Sequence, residues 1–227
     1  MSAARIKICG VTLADDAARV AAAGVDFVGL NFWPKSRRYL APERAPIVAA
    51  AARGAGSPKL VGVFVDASIE DIQAVCAVVE LDVIQLHGDE SPDEVKQVSL
   101  AVYRPVWKAL AVAGARDLEH LDVWPADALL LDAPAVRVRH ARPDLATELA
   151  PGRAGAGARF DHGLARAART RYPQRNFILA GGLDPTNVAA AVALVEPWAV
   201  DVASGVEAAP GIKDAAKLAA FVAAVRG

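Results

Sequence analysis

The stretch KLVGVFVDASIEDIQAVCAVVEL, residues 59–81, contains two hydrophobic patterns in succession. Residues 59–66 are almost continuously apolar, which is typical of a strand buried on both faces of a parallel sheet. From Ile69 onward the apolar residues recur with a period of 3.6, which is typical of a helix. Ser68 stands at the expected N-cap position, and Asp71 lies in the first turn. The stretch therefore predicts one strand–helix unit.

The same unit recurs along the chain. Eight apolar runs of strand length are present: IKICG, VDFVGLNF, KLVGVFVD, DVIQLHG, YRPVWKAL, ALLLDA, NFILAGG and AVDVASG. Helix-like segments separate them, with N-cap candidates at Thr12, Ser68 and Ser91. Eight strand–helix units of roughly 28 residues predict an α/β fold in which residues 1–227 form a single-domain (β/α)8 TIM barrel. An open doubly wound sheet is the competing architecture.

One region interrupts this regularity. From about residue 133 to residue 162 the chain is rich in Ala, Arg, Pro and Gly and has little periodicity. Such a composition predicts a long loop, and long loops in ordered domains are commonly functional. Because a loop that follows a barrel strand lies on the active face, we expect segment 133–162 to border the site.

Composition and charge exclude several classes of function. The chain has 25 Lys+Arg and 26 Asp+Glu, so no basic field is available to hold a nucleic acid or an anionic membrane. Two cysteines are too few for a disulfide framework. The sequence shows neither an apolar stretch of about 18 residues nor a signal-peptide pattern. We therefore expect a soluble cytoplasmic protein with no nucleic acid and no membrane as partner.

In a barrel, functional residues follow the carboxyl ends of the strands. The residues at those positions are polar or glycine, whereas the residues before them are apolar. They are Cys9, Asn31, Asp66, His87, Lys108, Asp132, the pair Gly181 and Gly182, and the pair Ser204 and Gly205. This contrast predicts a polar site at one mouth of the barrel.

Several of these regions contain side chains suited to proton transfer or carboxylate binding, and each has a structural alternative. Cys9 is either a small buried apolar residue or a thiol that ionises and acts as base or nucleophile. Asp132 is either a turn residue that binds backbone amides or a general acid. For His87 a structural role is favoured. In the loop WPKSRRYL, Arg37 or Arg38 is either solvated or turned inward to bind a carboxylate.

Two glycine-containing stretches favour a phosphorylated ligand. In LAGGLDPTNV, Gly181 and Gly182 lie between a strand and a helix, so backbone amides and the helix N-terminus can approach an anion. In VDVASGVE, Ser204 and Gly205 repeat this arrangement after the eighth strand. Loops after strands seven and eight commonly form a phosphate site in barrels, so the two stretches together predict one here.

The ordered motifs resemble those of the phosphoribosylanthranilate isomerase family over nearly the whole chain. They are KICGVT, FVGLNFWPKSRRYL, VGVFVD, IQLHGDE, LLLDA, ILAGGLDPTNV, VDVASGVE and PGIKD. The resemblance implies an enzyme of tryptophan biosynthesis that needs no cofactor and no metal. Its small phosphorylated substrate would be N-(5-phosphoribosyl)anthranilate, its product 1-(o-carboxyphenylamino)-1-deoxyribulose 5-phosphate, and its assembly a monomer or a homodimer.

The resemblance also implies roles for individual residues. Cys9 matches the general base, Asp132 the general acid, and Arg38 the arginine that holds the anthranilate carboxylate. The other substrate-binding residues that it implies, including the phosphate cradle, are His87, Gly155, Gly157, Gly181, Gly182, Asp201, Ser204 and Gly205.

These residue types suit an Amadori rearrangement. Opening of the furanose requires a proton on the ring oxygen, which Asp132 would donate. The resulting iminium makes the C2′ proton acidic, so a thiolate at Cys9 would remove it, and the enolamine then tautomerises to the ketose. Strands one and six lie apart around the barrel, so acid and base would flank the substrate. Gly10 would leave room for that substrate.

Two alternatives stay open at this point. Another phosphosugar barrel, such as indole-glycerol-phosphate synthase or a histidine-pathway isomerase, would be expected to use lysine and glutamate or paired aspartates, whereas strand one ends in Cys9. A non-catalytic phosphometabolite-binding barrel would retain the glycines and lose the acid or the base, whereas both Cys9 and Asp132 are present.

Overall fold

Eight parallel strands form a closed barrel in the computed structural model, which describes residues 4–133 and 160–227. In barrel order they are β1 Arg5–Cys9, β2 Phe27–Asn31, β3 Lys59–Phe64, β4 Val83–Leu86, β5 Val106–Ala111, β6 Ala128–Asp132, β7 Phe177–Leu179 and β8 Ala199–Val202. The barrel closes between β1 and β8, where Lys7 pairs with Asp201. The predicted (β/α)8 barrel and its eight strands are confirmed.

Seven α-helices occur in the described residues. They are α1 Ala14–Ala22, α2 Ala45–Ala55, α3 Ile69–Val78, α4 Pro92–Val102, α5 His162–Arg171, α6 Val188–Val195 and α7 Ala215–Arg226. The Ser68 hydroxyl caps α3, and Ser91 forms a capping box with Glu94 at α4, as the sequence predicts. Within the described ranges, no helix is long and apolar enough to cross a membrane.

The segment between β5 and β6 has no α-helix, although the sequence predicts one after every strand. Two short 3-10 turns, Ala115–Leu118 and Leu121–Val123, occupy it. Asp117 accepts hydrogen bonds from the N–H groups of Ala113 and Gly114, at 2.8 and 2.9 Å. Because such local bonds compete with helical ones, this unit closes as a turn.

A short antiparallel hairpin lies between β8 and α7. Its strands are β9 Glu207–Ala209 and β10 Ile212–Lys213. The Thr12 hydroxyl donates to the carbonyl of Gly211 at 2.7 Å, and α1 begins after Leu13 without a side-chain cap. The prediction that Thr12 caps this helix is therefore wrong, because its hydroxyl joins the β1 loop to the hairpin.

The amino-terminal end of the barrel is stabilised by aspartates that precede β2, β4 and β6. Each accepts a hydrogen bond from a backbone N–H of the preceding odd-numbered strand. The pairs are Asp26 with Ile6, Asp82 with Leu60 and Asp127 with Val106, at 2.9, 2.7 and 2.8 Å. These carboxylates satisfy buried backbone donors, so this end is a stability face while the opposite mouth is free for chemistry.

Aromatic side chains fill the barrel near that stability face. Phe27 and Trp107 pack edge to face with ring centroids 4.9 Å apart, and Trp107 and Trp198 do the same at 5.6 Å. These rings close one end of the barrel interior. A ligand site is therefore expected at the mouth formed by the carboxyl ends of the strands.

The predicted loop at about 133–162 lies almost wholly outside the described residues, and so do Gly155 and Gly157. Its last residues are described. Phe160 is buried, and Asp161 caps α5 by accepting from the N–H of Gly163 at 2.8 Å. The following helix therefore begins where the loop was predicted to end.

Candidate active site

Cys9 is the last residue of β1, and its partly buried thiol lies beside a glycine of β2. Gly29 pairs with Cys9, and a Cβ atom at Gly29 would come within 2.9 Å of Cys9 Sγ and 3.1 Å of Lys7 Nζ. The missing side chain at Gly29 therefore leaves one space that the thiol and the lysine ammonium share.

The Cys9 thiol is protonated at neutral pH in the free protein. Burial raises the pKa of this thiol, the positive charge of Lys7 lowers it, and the negative charge of Asp201 raises it again. The net direction is upward from the ordinary value, because desolvation disfavours the thiolate. Cys9 therefore becomes a base only when positive charge nearby stabilises its anion.

A buried ion pair lies directly beneath Cys9. Lys7 is fully buried, and its Nζ donates to Asp201 Oδ1 at 2.9 Å. Burial opposes the ammonium, but the charges of Asp201 and Cys9 raise the pKa of Lys7, so it remains protonated. Asp201 was expected among the substrate-binding residues, and the structure places its carboxylate on Lys7 inside the barrel.

Asp132 ends β6, three strands from Cys9 around the barrel. Its Oδ1 accepts from the N–H of Ala133 at 2.8 Å, and its Oδ2 lies 3.5 Å from His87 Nε2. The first contact is the backbone bond expected of a turn residue. The second oxygen lies at the mouth, where a general acid is expected, so both sequence-based interpretations of Asp132 apply to one carboxylate. His87 therefore belongs to the same site as Asp132.

A buried amide lies beside the His87 ring. Gln85 Nε2 and His87 Nδ1 lie 2.9 Å apart, within hydrogen-bonding distance. A neutral imidazole that accepts at Nδ1 has its proton on Nε2, facing Asp132. Among buried side-chain atoms of the described residues, Gln85 Oε1 is without a hydrogen-bond partner.

Arg38 turns inward, as one of the two sequence alternatives proposed. Its Nε and Nη2 donate to Glu207 Oε1 and Oε2, at 2.8 and 2.6 Å. Lys213 Nζ donates to the same carboxylate at 2.8 Å and to the Cys9 carbonyl at 2.6 Å. The two-point contact fixes the guanidinium plane and leaves Nη1 with no acceptor among the described residues.

Glu207 is charged because of these cations. Burial raises its pKa, but the hydrogen bonds and charges of Arg38 and Lys213 hold the pKa of Glu207 below its ordinary value overall. The one buried carboxylate of Glu207 therefore binds two cations, Arg38 and Lys213. This arrangement connects the β2 loop, the hairpin and the end of β1 around Cys9.

Gly10 makes room for the Arg38 side chain. Its φ is +71°, and a Cβ atom at this position would overlap Arg38 Cδ. The left-handed backbone and the close approach both require glycine. The residue therefore acts on the site through the arginine.

We expect Gly10→Ala to raise KM and to lower Tm. The left-handed backbone alone costs roughly 1 kcal/mol for a residue with a Cβ, and the overlap would also displace Arg38 from Glu207. Gly24→Ala is the matched control, because Gly24 has φ +74° and nothing within 4 Å of the added Cβ. Thermal unfolding and steady-state kinetics of both variants test this. Equal KM values would contradict the role given to Gly10.

The predicted phosphate loops lie against each other. Gly181 and Gly182 have φ of +85° and +73°, and Ser204 begins a short 3-10 turn. A Cβ atom at Gly205 would overlap the backbone of the β7 loop. A Cβ atom at Gly181 would lie 3.0 Å from Asp132 Oδ1. The glycine cradle therefore adjoins the acid candidate.

Lys108, which the sequence places at a strand end, lies within β5 and outside the barrel interior. Its Nζ donates to Glu90 Oε2 and to the Gly88 carbonyl, both at 2.7 Å. Glu90 also accepts from the N–H groups of Gly88 and Asp66. Lys108 therefore holds the loops after β3 and β4 in place.

Among the described residues no group of three or more His, Cys, Asp or Glu could hold a metal ion.

Four residues that shape the site were not predicted from the sequence: Lys7, Gln85, Glu207 and Lys213. Two of them had a signal. Lys7 stands two residues before Cys9 and Gln85 two before His87, so each shares a strand face with a candidate. Glu207 and Lys213 lie in the quoted motifs VDVASGVE and PGIKD, but nothing local indicates that they meet.

The motifs and this geometry match a known family of enzymes. The profile described as N-(5'phosphoribosyl)anthranilate (PRA) isomerase matches residues 6–224. The chain belongs to the PRA isomerase family.

Relatives and solved structures of PRA isomerases cover the whole chain. The isomerase of Magnetococcus marinus is 44% identical over 226 residues, covering 99% of this chain and 96% of the relative. The crystal structure of the isomerase from Thermotoga maritima superposes with a TM-score of 0.82 at 36% identity, covering 99% of each chain. A crystal structure of the isomerase with reduced 1-(o-carboxyphenylamino)-1-deoxyribulose 5-phosphate gives 0.80 at 34% identity, again covering 99% of each.

Proposed function

We propose that the chain isomerises N-(5'-phosphoribosyl)anthranilate to 1-(o-carboxyphenylamino)-1-deoxyribulose 5-phosphate, a step of tryptophan biosynthesis. The observation that supports this most directly is the placement of Cys9 and Asp132 at one barrel mouth, three strands apart, in a PRA isomerase family member. A non-catalytic phosphometabolite-binding barrel is not favoured, because both proton-transfer groups are present. The chain would act as a monomer or a homodimer, since a solved relative is described as a dimeric isomerase in monomeric form.

Asp132 begins the reaction as the general acid. In its protonated form it donates to the furanose ring oxygen, and the C1′–O bond breaks to give the iminium and a free hydroxyl. The carboxylate that remains faces Nε2 of His87, at 3.5 Å between Oδ2 and Nε2. His87 would thereby stabilise the charge that develops on Asp132.

Cys9 completes the reaction as the general base. The iminium acidifies the C2′ proton, and the Cys9 thiolate removes it to give the enolamine, which tautomerises to the ketose. Thiol and carboxylate end different strands, so they can act on opposite sides of a substrate that lies between them. One acid and one base, placed in this way, are the least that the rearrangement requires.

Binding of the two ends of the substrate is assigned to the loops on either side of the catalytic pair. Gly181, Gly182, Ser204 and Gly205 would bind the phosphate through backbone amides. The free edge of the Arg38 guanidinium would bind the anthranilate carboxylate, while Glu207 holds the opposite edge. The substrate would then span the mouth with C1′ and C2′ between acid and base.

The activity is tested with freshly prepared N-(5'-phosphoribosyl)anthranilate, by following the loss of anthranilate-type fluorescence. Turnover by the wild-type chain is the expected result. If the wild-type chain shows no turnover but still binds the reduced product analogue, it is a non-catalytic binding barrel and not an isomerase.

We expect Arg38→Ala to raise KM by about 10- to 100-fold with a smaller change in kcat, because a hydrogen bond to a charged group contributes about 1.5–3 kcal/mol. Arg37→Ala is the matched control, since Arg37 is the exposed neighbour. Arg38→Lys retains the charge without the fork and should lie between the two. Steady-state kinetics of the three variants test this. An unaltered KM in Arg38→Ala would show that Arg38 does not bind the substrate carboxylate.

A further inference from the structure

The buried Lys7–Asp201 pair needs an explanation beyond stability. Transfer of both charges into the barrel interior costs roughly as much as their mutual attraction returns, so buried pairs are weak sources of stability. An apolar pair at these two positions would fill the interior without that cost. The position of the pair beneath Cys9 indicates what the charges are for.

Three observations place the Lys7 ammonium beside both Asp201 and Cys9. Lys7 and Cys9 are two residues apart on β1, so both side chains face the interior. Lys7 pairs in register with Asp201 across the β1–β8 closure, and Nζ to Oδ1 is 2.9 Å. Sγ and Nζ lie 2.9 and 3.1 Å from the place where Gly29 would have its Cβ. The ammonium thus contacts Asp201 and interacts with the Cys9 sulfur, with which it shares the space beside Gly29.

We propose that Lys7 is a positioning residue whose ammonium, held by Asp201, is the counter-ion of the Cys9 thiolate formed during isomerisation. The inference rests on the proposed function, in which Cys9 is the base. Ionisation of Cys9 releases its proton to solvent at the mouth. The thiolate then takes the C2′ proton and becomes a neutral thiol again, while Lys7 and Asp201 retain their protonation states throughout.

The other charges that face Cys9 come from the β2 loop and the hairpin. In the described residues they are Arg38, Lys213 and the Glu207 that binds both. Lys213 lowers the pKa of Cys9, but less than Lys7 does, and Asp201 raises it. Because Glu207 is shared by the two outer cations, the charge that acts most strongly on the sulfur is that of Lys7.

The test is the pH dependence of Cys9 alkylation by iodoacetamide, which reports thiolate formation without any turnover. The background is Cys76→Ser, because Cys76 lies on α3 away from the mouth and would otherwise react as well. Lys7→Met should move the alkylation midpoint upward by about one pH unit or more, a tenfold slower reaction at fixed pH below the midpoint. Asp201→Asn should move it downward, because a carboxylate near the thiolate is removed.

Opposite shifts separate this role from a structural one. Lys108→Met is the matched control: Lys108 is also fully buried and paired with a glutamate, but outside the barrel interior. Its alkylation profile should equal that of the background. Shifts in the same direction for Lys7→Met and Asp201→Asn, or no shift in either, would overturn the proposal.

Two further variants keep the test decisive. If Lys7→Met does not fold because Asp201 is left unpaired, Lys7→Met/Asp201→Leu removes both charges and should have a higher midpoint than Asp201→Asn; an equal midpoint overturns the proposal. Failure of the proposed function has a different signature. A fully active Cys9→Ser would show that Cys9 is not the base, and Lys7 would then have no role in turnover. If Cys9→Ser is inactive but the alkylation midpoints of Lys7→Met and Asp201→Asn are unshifted, only the counter-ion role of Lys7 is overturned.

Discussion

Cys9→Ser is expected to lower kcat by about 10²- to 10⁴-fold, the usual contribution of a general base. Serine has nearly the same shape, so the contacts around Gly29 and the Arg38 site are retained and KM should change little. A serine hydroxyl does not ionise in the accessible pH range, so no base remains at the end of β1. The loss should therefore appear in kcat.

The pH profile gives this prediction a second readout. Burial raises the pKa of Cys9, so the thiolate fraction of the free protein grows as pH rises. Wild-type kcat/KM should accordingly increase with pH through the alkaline range, and Cys9→Ser should lack that limb. Cys76→Ser, the half-buried cysteine of α3, should behave as wild type. A Cys9→Ser variant with the wild-type profile would contradict the assignment.

Asp132→Asn is expected to lower kcat by a comparable factor, about 10²- to 10⁴-fold. An asparagine oxygen can still accept from the Ala133 N–H, so the turn after β6 should persist. The amide has no acidic proton for the furanose oxygen, and it faces His87 without a charge. Ring opening should therefore become the slow step while substrate still binds.

Asp127→Asn is the matched control, because Asp127 directly precedes the same strand. Asp127 lies just before the amino-terminal end of β6, where it accepts from the Val106 N–H, and an asparagine can retain that bond. Its kcat should stay near the wild-type value. Binding of the reduced product analogue by Asp132→Asn should also remain. Loss of that binding, or kcat losses of similar size in both variants, would indicate a structural rather than an acid role for Asp132.

Local sequence patterns were enough to predict the barrel and most of its candidate residues. Apolar runs and the 3.6-residue period report local burial, so they identified eight strands and, at Ser68 and Ser91, where helices begin. The position after a strand also located Cys9 and Asp132, because parallel strands bring their carboxyl ends to one mouth. Local bonds were harder to anticipate, as Thr12 and the turn between β5 and β6 show.

The contacts that hold these residues in place arise from long-range packing. The contacts of Lys7 with Asp201 and of Arg38 with Glu207 join positions 194 and 169 residues apart. Such pairs depend on closure of β1 against β8 and on the return of the hairpin to the mouth, which no local pattern encodes. From its residue type alone, a lysine in a strand is expected to be exposed to solvent. Its burial beneath Cys9 follows from strand register, because register sets which side chains face each other inside the barrel.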